Sequence, residues 1–268
     1  MSFFGRAFEF DSTPCEKFEL MMYDIGNQDT DISIAGVHSI EDESIGDKWK
    51  PYFYGTKPGE KLEFDITFGV NQRRIDAGKF LDRWEVEEIS AWLTGHTGYK
   101  WLYIDQPDMD PFGYRCMITK LDATQYGAIP WAFKAHVVCD SPYAYLSTRT
   151  TTVTLNGSET TIQLINESSL NGFYKPNISF ERTGGSTFSI KNAQDNDMGP
   201  EFTDIPGSVS MITIDNEHCV ITNDQGLNLY DAGFNFQFLR LARGLNTLTA
   251  TGTGVLTITC EFPVNVGG

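Results

Sequence analysis

The carboxylates of this chain are the first residues to weigh for chemistry. Asp105-x-x-Asp108-x-Asp110 gathers three acids in one short segment, a spacing at which a hard cation such as calcium can be held. The segment lacks the glycine and the distal glutamate of an EF-hand loop. It reads better as a solvated hairpin loop with Asp at turn positions, and Asp195-Asn196-Asp197 reads the same way. Glu87 and Glu88 are adjacent, so on a helix they splay by about 100° and do not converge on one substrate. His38, His96, His136 and His218 are at least 40 residues apart and have no cysteine at zinc-finger spacing. There is no Gly-x-Ser-x-Gly elbow and no catalytic cysteine signature. Gly252-x-Gly254 lacks the third glycine and the following helix of a nucleotide loop, and reads as a turn between Leu248 and Leu256. Trp84 and Trp92 on a helix, and Trp101 and Trp131 in strands, read as core. That leaves Phe173, Tyr174 and Tyr230 as candidate sugar-stacking rings. The residues therefore predict no catalytic site, no metal site, no cofactor and no enzyme.

Elements of the right kind must hold such residues, and most of the chain reads as strand. Leu62 to Phe68 alternates apolar and polar residues, and Trp131, Phe133, Ala135 and Val137 share one face of another strand. Lys17–Tyr23, Tyr99–Ile104 and Tyr114–Leu121 are further strands. A single helix is expected over about 75–94, with Phe80, Trp84, Ile89, Trp92 and Leu93 on its apolar stripe and a left-handed cap at Gly95. After Asp140-Ser-Pro-Tyr-Ala-Tyr145 the composition changes: all five tryptophans lie before this point, and Thr-rich short strands with Gly and Asn turns follow. Among them are Asn177–Glu181, Thr187–Lys191, Phe236–Leu241, Leu245–Ala250 and Val255–Phe262. The reading is a mainly β chain of 268 residues in two domains, 1–145 carrying the helix and 146–268 a β-sandwich or jelly roll.

The formal net charge is −16. The part before residue 146 holds 14 basic and 24 acidic side chains, the rest 6 and 12. No basic run exists, which argues against general nucleic-acid binding. Met1–Asp11 has no apolar stretch of a signal peptide, and no run of about 18 apolar residues predicts a membrane span. Five cysteines with long gaps and no CxxC read as reduced thiols of a protein made in a cytosol.

The order of segments carries more than any one motif. Ser2-Phe-Phe-Gly-Arg-Ala-Phe-Glu-Phe10 opens the chain. Trp84-Glu-Val-Glu-Glu-Ile-Ser-Ala-Trp-Leu93, Tyr99-Lys-Trp-Leu-Tyr-Ile-Asp-Gln-Pro-Asp108 and Tyr114-Arg-Cys-Met-Ile-Thr-Lys-Leu121 follow. Next comes Trp131 through Pro142-Tyr-Ala-Tyr145, and near the end Arg243-Gly-Leu-Asn246. This ordered set resembles the distal tail protein (Dit) family of long, non-contractile-tailed bacteriophages over nearly the whole chain. The resemblance implies a ring-forming N-terminal β domain and a C-terminal galectin-like sandwich. It also implies a homo-hexameric hub around the DNA channel, with the tail tube protein above and a tip or baseplate hub protein below, at the distal end of the virion tail. No specific nucleic-acid binding and no membrane insertion are implied. For inter-subunit contacts the candidates are a strand edge carrying Leu62, Phe64, Ile66 and Phe68, and the loop with Asp105, Asp108 and Asp110. The competing reading is a carbohydrate-binding module or adhesin for the host surface.

Overall fold

The alternating stretch around Phe64 is a strand whose apolar face, Phe64, Ile66 and Phe68, is buried while Glu63 and Asp65 face water. The computed structural model describes residues 6–23, 38–46, 48–58, 61–105, 112–126 and 129–265. The chain divides into two units after Leu146.

The N-terminal unit contains β1 (Ala7–Phe10), β2 (Thr13–Pro14), β3 (Leu20–Met22), β4 (His38–Glu43), β5 (Tyr52–Pro58) and β6 (Glu63–Val70). Then come α1 (Gln72–Asp76), α2 (Arg83–Thr94), β7 (Lys100–Asp105), β8 (Gly113–Tyr126), β9 (Ile129–Cys139) and β10 (Ala144–Tyr145). The main sheet runs β2-β1-β7-β8-β9-β6-β3, and β4 and β5 form a separate two-stranded sheet. Antiparallel register sets Phe64, Ile66 and Phe68 opposite Val137, Ala135 and Phe133. On the outer face of the same pair, Asp65 lies 2.8 Å from both Lys134 Nζ and His136 Nδ1. Lys17–Tyr23 is not one strand. It is a 3-10 turn over Cys15–Phe18, a left-handed Glu19, and then β3.

The single helix expected over 75–94 is two helices. Asp82 caps α2 by accepting from Glu85 N at 2.8 Å, while the Glu85 carboxylate accepts from Asp82 N at 2.9 Å. This reciprocal box starts a helix at Arg83, so the chain between α1 and Asp82 cannot continue one. Ile89 and Leu93 are buried, and Trp92 stacks on Phe18 and Phe8 and donates Nε1–H to the Phe10 carbonyl at 3.0 Å. Trp84 is 77% exposed and Phe80 56% exposed, against the expectation of core. At about 100° per residue, Trp84 sits roughly 140–180° around the helix from Ile89 and Leu93. Gly95 ends the helix with φ −77°, not in a left-handed cap.

The C-terminal unit contains β11 (Arg149–Asn156), β12 (Thr160–Asn166), β13 (Asn177–Asn192), β14 (Glu201–Phe202), β15 (Met211–Asp215), β16 (Val220–Asn223) and β17 (Gly244–Cys260). Two pairs of expected short strands are each one long strand, β13 and β17. β11 pairs the C-terminal half of β17 and β12 its N-terminal half, while β13 runs along the opposite edge of both halves, with register shifts between Arg182 and Ser189. Phe180 and Phe188 would lie about 26 Å apart on an extended strand. Their ring centroids are 4.2 Å apart and nearly parallel. The long strands therefore fold over, and one ladder supplies both layers of a sandwich filled by Phe180, Phe188, Phe202 and Phe234. Gly252-x-Gly254 is not a turn but lies inside β17, at the fold. A Cβ on Gly254 would drive into the Glu181 carbonyl oxygen, and one on Gly252 would lie 3.1 Å from the Phe180 ring.

Phe236–Leu241 is not a strand, although Leu241 makes one isolated bridge to Tyr174. Its backbone is satisfied by buried asparagines instead. Asn216 Oδ1 accepts from Leu239 N at 2.7 Å, Asn192 Nδ2 donates to the Arg240 carbonyl at 2.6 Å, and Asn166 Nδ2 donates to the Leu241 carbonyl at 3.1 Å. Asn246 closes the next turn, accepting from Ala242 N at 2.8 Å and donating to the Ala242 carbonyl at 2.7 Å. Side-chain amides can replace a sheet partner wherever they are buried with both ends used.

Candidate interaction surfaces

The residues with catalytic potential stay apart. Asp105 is exposed at the end of β7, and Asp108 and Asp110 lie outside the described residues. Among the described residues, no three His, Cys, Asp or Glu side chains group as metal ligands do. Glu87 and Glu88 are exposed on α2. Asp195 is nearly buried and holds Arg240 through two bonds of 2.8 Å, a structural pair. Burial pushes the Cys15 thiol up to about 11 and the Cys139 and Cys260 thiols to about 12, which leaves them unreactive. Cys219 is exposed. No helix among the described residues is long and apolar enough to cross a membrane.

The strand named as a candidate subunit contact turns its side chains inward. Phe64, Ile66 and Phe68 belong to the core of the N-terminal unit, and Leu62 packs partly against it. One edge of β6 is taken by β9 along Glu63–Gly69, the other by β3 at Phe68–Val70.

The surfaces that sequence reading missed are apolar. Ile40, Ile45, Trp49, Tyr52, Phe53 and Tyr54 are all exposed on and around the β4–β5 hairpin, Trp49 to 93%. A second group, Ile75, Phe80 and Trp84, is exposed at the α1–α2 corner. A monomer rarely leaves large apolar clusters open without a partner for them. The corner is built rigidly. Arg74, 8% exposed, bonds Glu85 at 2.6 Å, Glu19 at 3.2 Å and the Phe80 carbonyl at 3.1 Å. The Arg74 guanidinium, ahead of the capping contact with Asp82, holds the Glu85 carboxyl below its ordinary range. One cation thus ties the 3-10 turn, the connection and α2 together and presents Phe80 and Trp84 on their outside.

The family model described as the phage tail protein N-terminal domain matches residues 4–141, and that of the phage tail C-terminal domain matches residues 143–260. The chain belongs to the phage tail proteins. No curated protein matches it. Among solved structures, this phage tail protein shares its fold with the Dit protein of phage SPP1, described as a hub of the adsorption apparatus in phages infecting Gram-positive hosts. That likeness has a TM-score of 0.61 and 12% identity, covering 96% of this chain and 98% of the other. A chain of the phage P2 baseplate in its activated, calcium-bound conformation is similar with a TM-score of 0.50 and 10% identity over 96% and 99% of the two chains. The fold is thus Dit-like.

Proposed function

We propose that this phage tail protein is a structural hub at the distal end of a long, non-contractile tail. Six copies form a ring through their N-terminal units, around the channel for DNA. The ring joins the tail tube protein on one side to the tip or baseplate protein on the other, and the C-terminal unit is a galectin-like sandwich. The observation that carries this reading is the end-to-end likeness to a hub protein, with almost nothing left over on either chain. Six copies would carry a formal charge of −96, six times −16. Acidic surface beside a channel keeps a polyanion from adhering in transit. Light scattering after size exclusion, over a concentration series, tests the ring. A mass near 180 kDa, six times 30.0 kDa, is expected. A 30 kDa species that persists to the highest concentration and in the presence of the tail tube protein overturns it.

A second reading, glycan binding by the C-terminal unit, draws on Phe236. This bulky residue has a left-handed φ of 58°, is 68% exposed, and stacks on Tyr230 with centroids 6.0 Å apart. Strain of that kind persists where surrounding structure enforces it, often at binding sites. A glycan array with no binder removes this reading.

A further inference from the structure

The two apolar surfaces of the N-terminal unit differ in secondary structure and charge. The hairpin is a two-stranded sheet that pairs with no other strand among the described residues. A sheet of two strands is marginal in water by itself, so its exposed face needs a cover. The corner is two helices held together by the buried Arg74. Charge divides them further. β4 carries exposed Asp42 and Glu43, and the hairpin turn carries exposed Lys48 and Lys50. The corner carries exposed Arg73, Lys79 and Arg83 around its apolar residues, with exposed Asp76 and Asp82 between them, then Glu87 and Glu88 along α2. Three cations of the corner, one more than the exposed acids between them, can meet Asp42 and Glu43 of β4, and Glu87 and Glu88 can meet Lys48 and Lys50 of the hairpin turn.

Two unlike, complementary patches on one unit make a head-to-tail contact, the kind that closes into a ring when the rotation permits; a two-fold dimer would need one self-complementary patch. We propose that the β4–β5 hairpin of one protomer docks on the α1–α2 corner of its neighbour. Trp49 and Phe53 pack on Phe80 and Trp84. Asp42 and Glu43 face Arg73, Lys79 and Arg83. The occupant of each surface is a second copy of this chain. This inference rests on the ring reading above and adds to it which surfaces meet.

The test uses the full-length chain with a benzophenone amino acid in place of Trp49, prepared in light and heavy isotopic forms, mixed and irradiated. Mass spectrometry should find light–heavy adducts joining residue 49 to peptides within residues 73–88. A 180 kDa particle whose adducts fall elsewhere, or only within one chain, overturns the docking and leaves the ring standing. A chain that stays at 30 kDa and gives no light–heavy adducts overturns both. Charge reversal is the second arm. Asp42→Lys with Glu43→Lys should raise the concentration needed for assembly at least ~10-fold, as should Lys79→Glu with Arg83→Glu. All four changes in one chain should restore it. Absence of rescue, with all variants melting like the parent, overturns the docking.

Discussion

Of the large apolar side chains left open in the N-terminal unit, six cluster on the β4–β5 hairpin and three at the α1–α2 corner among the described residues. In the C-terminal unit Ile165, Phe173, Val220, Leu227, Phe236 and Leu245 are spread over several elements. The C-terminal unit covers its own aromatic core by folding β13 and β17 back on themselves and by using asparagines where a strand is missing. The N-terminal unit covers one face of its main sheet with α2 and the 3-10 turn, then leaves apolar surface at both the hairpin and the corner. Closure within the chain is thus complete in the C-terminal half, and under the proposed ring closure between chains falls to the N-terminal half. The proposed ring needs that division: one half must remain incomplete until it meets a neighbour.

The largest expected effect sharpens the contrast from the self-contained side. Phe180→Ala removes a fully buried ring and its stacking on Phe188, costing ~3–5 kcal/mol. In chemical denaturation followed by residue-resolved hydrogen exchange, protection should fall in 149–260 and hold in the N-terminal sheet. Equal loss in both would show that the units do not close separately. Asn246→Ala strips the partners from Ala242 N–H and two carbonyls, at about 2–3 kcal/mol. Exchange of the 236–242 amides should accelerate before that of β17. In the N-terminal unit, Arg74→Met should cost only ~1–2 kcal/mol, because Glu19 and Glu85 can turn to water. It should nonetheless weaken assembly, since the corner loses its lock, and unchanged assembly would show that the corner is not used.

Asp65 offers a smaller, pH-resolved effect. The Lys134 ammonium, then His136, hold its carboxyl below the ordinary carboxylate range. A depressed folded value means the stabilisation is present above the unfolded value near ~4 and is lost as pH falls through the folded one. Asp65 is 40% exposed, so Asp65→Asn should cost less than about 1 kcal/mol at pH 7. The difference should shrink below about pH 4. A gap that instead widens on acidification would contradict the assignment. Least of all, Trp84→Ser should leave monomer stability within ~0.5 kcal/mol of the parent while reducing assembly. A large loss of stability would mean Trp84 is core after all.

Much of this was legible in the residues, for reasons that also mark where legibility stops. Period-two alternation announced β6 and β9 because each buries one face. The α2 stripe was readable at Ile89, Trp92 and Leu93, but the capping box at Asp82 and Glu85 outranked the weaker apolar spacing through Phe80 and Trp84. Periodicity records that a residue is apolar, not whether its own chain supplies the cover, so the corner passed as core. The glycines at 252 and 254 signal a turn and an in-strand close approach equally well, and only the carbonyl of Glu181 across the ladder decides between them. The buried asparagines left no periodic trace, because each serves a backbone group that is distant in sequence. Asn246 of the Gly244-Leu-Asn246 segment owes its place to closing the Ala242 turn.

The doubling of β17 has a mechanical side. A strand bonded along both edges, and common to both layers, cannot be drawn out of one layer without shearing the other. Pulled from its ends, it loads the ladders to β11, β12 and β13 together, where strands in separate sheets would yield one after another. Under the proposed hub role, such a C-terminal unit would fail as a whole or not at all while the tail bears load.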